Sequence, residues 1–313
     1  MVTKPNSILF MGTPQFAAEA LRGLVWVNMN IVGVVCRPDE KSGRGSLLTP
    51  PATKIEAEKH GLPVFQPQNK AELTEIVQKL QPELIVVAAY GMIVPQTVLD
   101  VPKYGTLNIH GSLLPKYRGA SPITEAILNG DKETGITIIK MSLGMDEGDI
   151  IATYKLPISD EDTTTTLTEK MSKLGAKAIV ETVPDWIANE LTEIPQNDAD
   201  ATYCRKIVKE DGHIDWNKPA EQIERMVRAY QPWPTAYTFI NDMRIKILKA
   251  AWIPASAGMT KENGVLTFDD GHIYIGTGEG TLEVLELQPE GKKPMSAKDY
   301  INGNKQLESV KLT

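Results

Sequence analysis

Residues 84–88 read Leu-Ile-Val-Val-Ala, an unbroken apolar run with β-branched side chains at its centre. A strand with one face in water alternates apolar and polar residues, so a continuous run requires cover on both faces. An interior strand of a parallel sheet between helices meets that requirement. The surrounding chain has the rhythm such a sheet needs. Strand-like runs at 8–11, 31–35 and 106–109 alternate with helical patterns at 16–24, 52–60 and 71–80, and a brief strand signal falls at 63–65. Further on, 121–128 predicts a helix with Ser121 at its N-cap and Pro122 at its first position. Strands are expected at 135–141 and 149–156 around a glycine-containing loop at 144–148, and a long helix from 164 to 189. The implied class is α/β, a Rossmann-like, mostly parallel sheet with helices on both faces. The first turn, Gly12-Thr13-Pro14, lacks GxGxxG, which disfavours a dinucleotide site.

At 313 residues the chain is long for a single core and is expected to form two domains. Residues 190–204, with Pro195 and several acids, read as a linker, leaving a first domain at 1–189 and a second at 205–313. The second opens with 211–216 and a helix at 220–229. Short strand signals follow at 236–240, 246–251, 264–267, 272–276 and 282–288, with 254–262 as an exposed loop. Five short, glycine-punctuated strands suggest a small C-terminal OB-like β-barrel. No stretch reaches the roughly 20 apolar residues of a membrane span, and the start of the chain lacks a signal-peptide pattern. The expectation is a cytoplasmic protein. Cys36 and Cys204 match no metal spacing and read as thiols of a reducing compartment, so no metal is expected. The net charge of −7 argues against a strongly basic nucleic-acid surface. That excess lies in the first 204 residues, because acidic and basic residues balance at 15 each from Arg205 onward. Composition permits a local basic patch there without predicting one.

Two segments carry candidate chemistry. Asn108 and His110 are two apart, so on a strand their side chains leave the same face. The end of such a strand is where open α/β sheets place ligands. In Gly144-Met145-Asp146-Glu147-Gly148, glycines on either side of the acid let the chain turn and hold a carboxylate in a cleft. Taken separately, the pair could serve only to satisfy buried backbone groups, and the loop could be a plain polar turn. Together, on adjacent strand ends, Asn, His and Asp can supply an oxyanion donor, a proton acceptor and a carboxylate that orients the imidazole.

The run from Asn108 to Ile123, with its Asn-x-His pair and Ser112-Leu113-Leu114-Pro115-x-x-Arg118-Gly119, resembles the signature of the folate-dependent formyltransferases. The loop around Asp146 resembles that family's catalytic-aspartate loop. Met11-Gly12-Thr13-Pro14-x-Phe16-Ala17, residues 38–45 and Ala89-Tyr90-Gly91-Met92-Ile93 resemble its tRNA-formylating branch. So do Ile214-Asp215-Trp216, Pro232-Trp233-Pro234 and Gly291-Lys292-Lys293-Pro294-Met295-Ser296. The resemblance therefore covers nearly the whole chain. It implies transfer of a formyl group from 10-formyltetrahydrofolate to the amino group of methionine carried on initiator tRNA, by a monomer. It implies Asn108, His110 and Asp146 as the catalytic trio. Ser112, Leu113, Leu114, Pro115, Met92, Ile93 and Val94 would lie along the folate. The loop at 37–53 would touch the acceptor stem through Arg44 and Lys41, with Lys54 nearby, although fewer lysines follow Gly43-Arg44-Gly45 than the family usually carries. Lys206, Lys209, Lys292 and Lys293 are further candidates for RNA contact. Two other functions compete at this stage: a formyltransferase acting on a small amine, and a non-catalytic nucleic-acid-binding module built on the second domain.

Overall fold

The computed structural model describes residues 6–42, 47–257 and 262–313. Along the chain the elements are β1 (Ile8–Gly12), α1 (Gln15–Trp26), β2 (Ile31–Val35), β3 (Glu40–Ser42), β4 (Leu47–Thr49), α2 (Ala52–Lys59), β5 (Val64–Phe65), α3 (Lys70–Leu80), β6 (Leu84–Ala88) and α4 (Gln96–Leu99). They continue with β7 (Thr106–His110), β8 (Arg118–Gly119), α5 (Pro122–Leu128), β9 (Glu133–Lys140), β10 (Ile150–Pro157), α6 (Thr164–Ile187), β11 (Tyr203–Cys204) and α7 (Ala220–Ala229). The last are β12 (Tyr237–Ile240), β13 (Met243–Ile253), β14 (Leu266–Asp269), β15 (His272–Gly276), β16 (Thr281–Pro289), β17 (Met295–Ser296) and α8 (Ala297–Asn304). The chain clusters into two compact units. The first holds the chain to Pro122 with Glu133–Pro157 and Thr168–Cys204; the second holds Ile123–Lys132, Ile158–Leu167 and Arg205–Thr313.

The first unit is built on a seven-stranded sheet in the order β10-β9-β7-β6-β1-β2-β5. The five strands from β7 to β5 run parallel, and β9 and β10 add an antiparallel edge. All five residues of β6 are buried, as an unbroken apolar run requires. Registers Leu9↔Ile85, Met11↔Val87 and Val87↔Asn108 define one face of the sheet. On it Leu9, Met11, Ile85 and Val87 pack with Leu73 and Val77 of α3, Val98 of α4, and Tyr90 and Val94. On the opposite face α6 passes Gly175 against Ile109 and Ile136, and Gly23 of α1 meets Ala176 and Val180 of α6. Local chemistry sets several boundaries. The Asn69 side chain accepts from the amides of Ala71 and Glu72 and so opens α3, and Gln81 closes it in the left-handed region at φ +45°.

Three expectations change here. The 37–51 stretch, read as loop, contains the β3–β4 hairpin, whose short strands offer too few residues to show a period. The single turn α4 was not foreseen, and at four residues it is below the length at which helical periodicity is visible. Residues 190–204 do not form a free linker but lie along the first unit: Ile194 pairs with Ile150, and β11 pairs with β8.

The second unit contains an antiparallel sheet, β12-β13-β16-β15-β14, with β17 on β16. Its alternation is direct: Ile273 and Ile275 of β15 are buried, while His272 and Tyr274 face outward and stack at 6.0 Å. Two register shifts in the eleven-residue β13, around Lys249, let one strand bend while pairing with both β12 and β16. The result is the OB-like half-barrel expected from the five strand signals. Its core gathers Ile223 and Val227 of α7, Trp216, Ile245, Ile247, Val284, Leu287 and Tyr300. The buried Trp216 indole donates to the Thr238 hydroxyl at 3.0 Å. Helix α8 was missed, although its start was legible: Ser296 caps the Asp299 amide at 3.2 Å in an S-x-x-D pattern. Among the described residues no helix is long and apolar enough to cross a membrane.

Candidate active site

Asn108 and His110 leave β7 on the face shared with Met11 and Val87. They stand beyond the cover given by α3 and α4 and are 9% and 5% exposed. Asp146 meets them from an unexpected direction. Because β9 is antiparallel to β7, with Leu107 opposite Lys140, the loop after β9 leaves beside the entry end of β7. It must therefore fold back over the sheet face, starting from the Met141 amide bonded to Thr106 O at 2.7 Å. The three groups converge as expected, but not as neighbouring strand ends.

The Asp146 backbone lies in the left-handed region at φ +54°. Its carboxylate accepts from the Gly119 amide at 2.9 Å and from Asn108 Nδ2 at 3.4 Å. His110 Nδ1 is 3.5 Å from the same carboxylate. The other ring nitrogen, Nε2, is 2.9 Å from the Tyr117 carbonyl oxygen. A carbonyl can only accept, so Nε2 carries the hydrogen and Nδ1 presents its lone pair towards Asp146 whenever the ring is neutral. Burial holds the His110 pKa below its ordinary value and outweighs the upward pull of Asp146 and the Tyr117 carbonyl. The neutral ring thus has one vacancy for a proton, and the imidazolium formed there would have an acceptor at each nitrogen.

The residues expected along the folate divide in two. Ser112 is fully buried; its hydroxyl donates to Lys116 O at 2.6 Å, and its carbonyl accepts from the Thr137 hydroxyl at 2.7 Å. Leu114 and Val94 are also buried, and the Leu114 amide bonds Thr137 Oγ1 at 3.1 Å. The side chains of these three present little open surface. Ile93, 70% exposed, and the partly exposed Met92, Leu113 and Pro115 keep free surface. Leu143 and Met145, both just before Asp146 on the same loop, are also exposed apolar residues, an uncommon feature of a loop rich in glycine and acid.

Among the residues expected at the RNA, Arg44 lies outside the described residues, and of Lys41 only the backbone, in β3, is described. Lys54 is occupied, with its ammonium 2.9 Å from Asp39 and 3.1 Å from Gln66. Lys206, Lys209, Lys292 and Lys293 are all exposed. Among the described residues no group of three or more His, Cys, Asp or Glu is placed to hold a metal.

The family model described as "Formyl transferase" matches residues 6–183, and "Formyl transferase, C-terminal domain" matches 206–305. The methionyl-tRNA formyltransferase of Pseudoalteromonas translucida (strain TAC 125) is 42% identical over 306 residues, covering 96% of this chain and 95% of that protein. That of Marinobacter nauticus (strain ATCC 700491 / DSM 11845 / VT8) is 42% identical over 302 residues, covering 96% and 97%. In fold the chain resembles WlaRD, a sugar 3N-formyl transferase solved in the presence of dTDP and 5-N-formyl-THF, with a TM-score of 0.67 and 21% identity over 93% of this chain and 100% of that one. The chain belongs to the formyl transferase family.

Proposed function

We propose that the protein transfers the formyl group of 10-formyltetrahydrofolate to the α-amino group of methionine on initiator tRNA. The observation that carries the reading is one cluster, the buried Asn108 and His110 with the half-buried Asp146, in a chain 42% identical over 96% of its length to methionyl-tRNA formyltransferases. The neutral amine attacks the formyl carbon, forming the new C–N bond and a tetrahedral oxyanion. Asn108 Nδ2–H donates to that oxyanion; one such donor is typically worth ~10²–10³ in rate. The amine proton passes to His110 Nδ1, and the imidazolium is held between Tyr117 O and the Asp146 carboxylate. Collapse of the intermediate breaks the bond to the folate nitrogen, which takes the proton back from Nδ1. Asp146 therefore stays ionised and acts by orienting and stabilising the ring. The open apolar surfaces of Ile93, Met92 and Leu113, and of Leu143 and Met145 on the Asp146 loop, suit a flat heterocycle.

Identity of 42% along 96% of the chain to methionyl-tRNA formyltransferases, against 21% to the sugar 3N-formyl transferase WlaRD, favours a tRNA acceptor over a small amine. The test presents 10-formyltetrahydrofolate with charged initiator tRNA, an amino-sugar nucleotide and glycinamide ribonucleotide in turn. Formylation of the tRNA alone supports the reading; preference for either small amine overturns it.

A further inference from the structure

Gln196 lies in the stretch that joins α6 to β11. Its side-chain amide donates from Nε2 to the backbone carbonyls of Asp146 and Gly148, both at 2.7 Å. Its Oε1 accepts from Arg118 Nε at 3.0 Å and Nη2 at 2.9 Å. The amide orientation is forced: a guanidinium has only donors, so the oxygen must face it and the N–H pair must face the loop. Arg118 is 1% exposed and also bonds Asp198 at 2.7 Å and the Tyr203 hydroxyl at 3.2 Å. A cation buried so deeply has no water to turn to, and its direction is fixed by these partners.

The Asp146 loop needs an external hold. Its aspartate sits in a region that non-glycine residues avoid, at φ +54°. Gly148 packs so tightly that an added Cβ would lie 1.8 Å from Lys140 O. The carboxylate itself makes one short bond, to Gly119, and two long contacts at 3.4 and 3.5 Å. Its position is therefore set largely by the backbone beneath it, where Gln196 takes hold. The same stretch of chain fixes the other half of the site. Thr202 accepts from the Arg118 amide at 2.8 Å and the Tyr117 amide at 2.9 Å, and Cys204 O accepts from the Ala120 amide at 3.2 Å. Tyr117 supplies the acceptor of His110, and Gly119 supplies the donor to Asp146. A Cβ on Gly119, at φ +121°, would lie 2.2 Å from Cys204 O, so this approach depends on glycine.

We infer that Gln196, pinned by Arg118, is a positioning residue that sets the Asp146 carboxylate against His110 and thereby governs the transfer step. The inference rests on the catalytic reading of Asp146. Gln196→Glu keeps an oxygen on Arg118 but turns the two donors to the loop into an acceptor facing carbonyls; Gln196→Ala removes the tie altogether. Turnover, KM for both substrates and thermal melting are measured for both variants beside Asp146→Asn. The expected result is a fall in kcat of ~10-fold or more with each KM within ~2-fold, since small displacements at a reacting centre cost rate before binding. A folded Gln196→Glu with the kcat of the parent, or one impaired only through KM, overturns the inference while an inactive Asp146→Asn leaves the catalytic reading standing. Full turnover in Asp146→Asn overturns both. Should either Gln196 variant fail to fold, the other decides.

Discussion

His110 sits between a carbonyl oxygen and a carboxylate, 2.9 Å from one and 3.5 Å from the other. That placement satisfies an imidazolium at both nitrogens and an imidazole at only one, while burial still keeps the resting ring neutral. Because burial puts the folded His110 pKa below 6.5, the ring accepts a proton in the reaction only above that lowered value. The substrate amine has its own titration near ~7.7–8. The expected profile of log kcat/KM therefore rises with slope two at the acid end, where both groups must lose a proton. It turns to slope one below pH 6.5, once His110 is neutral, and flattens above the amine. An acid limb that carries the amine's break alone, with no second break anywhere below pH 6.5, would remove His110 as the proton acceptor. Asn108 carries a separate expectation: Asn108→Ala should lower kcat by ~10² with little change in melting, checked by steady-state rates and a thermal scan. The Asn108/His110 pair was legible because an i, i+2 spacing on a strand fixes a common face. The meeting with Asp146 was read as one of adjacent strand ends; its actual route was not legible, since no local pattern says that the loop after an antiparallel strand folds back over the sheet.

Helices α1 and α2 are tied by Arg22, whose Nε and Nη2 bond the Glu56 carboxylate at 2.8 and 2.9 Å. Glu56 is 3% exposed and also receives Lys59 at 3.3 Å. Hydrogen bonding from Arg22 is the largest cause that holds its pKa at about 2, below 4.5. A carboxylate depressed in the folded state contributes stability above its unfolded pKa and loses it as pH falls towards the folded one. Between pH 5 and 2 the protein should thus lose ~1–2 kcal/mol from this tie, a figure discounted because Arg22 is half open to solvent. Urea titrations at successive pH values check it: Glu56→Gln should flatten that part of the curve, and an unchanged curve would show the pair to be energetically silent. Longer elements marked by a clear period, such as α7, or by an unbroken apolar run, such as β6, were readable from the sequence. The β3–β4 hairpin, α4 and the β8–β11 pair were not, because two to four residues carry no period and their pairing partners are distant. Most consequential was the stretch 190–204: its acids and Pro195 look like a linker, yet Gln196, Thr202 and Cys204 make long-range bonds that leave no local mark.

A net charge of −7 on a chain proposed to hold RNA requires that binding come from a few placed cations. Arg44, which stands between two glycines in the sequence, is the first candidate, and the exposed Lys206, Lys209, Lys292 and Lys293 follow. Arg44→Ala should weaken tRNA binding and reduce the slope of log affinity against log salt by about one charge. Affinity measured at several salt concentrations decides it, and an unchanged slope would remove this loop from the tRNA contact. The division into a sheet-based unit and a half-barrel was readable from strand rhythm alone. The assignment of Ile123–Lys132 and Ile158–Leu167 to the second unit was not, because it depends on packing between segments far apart in sequence. The central claim is that Asn108, His110 and Asp146 carry formyl transfer to methionine on tRNA. Its most direct test is single-turnover formylation of charged initiator tRNA by the parent protein and by Asp146→Asn, reading formylmethionine after deacylation. The account predicts formylmethionine from the parent and a rate at least ~10² lower from a folded Asp146→Asn; equal rates, or no formylmethionine from the parent, would contradict it.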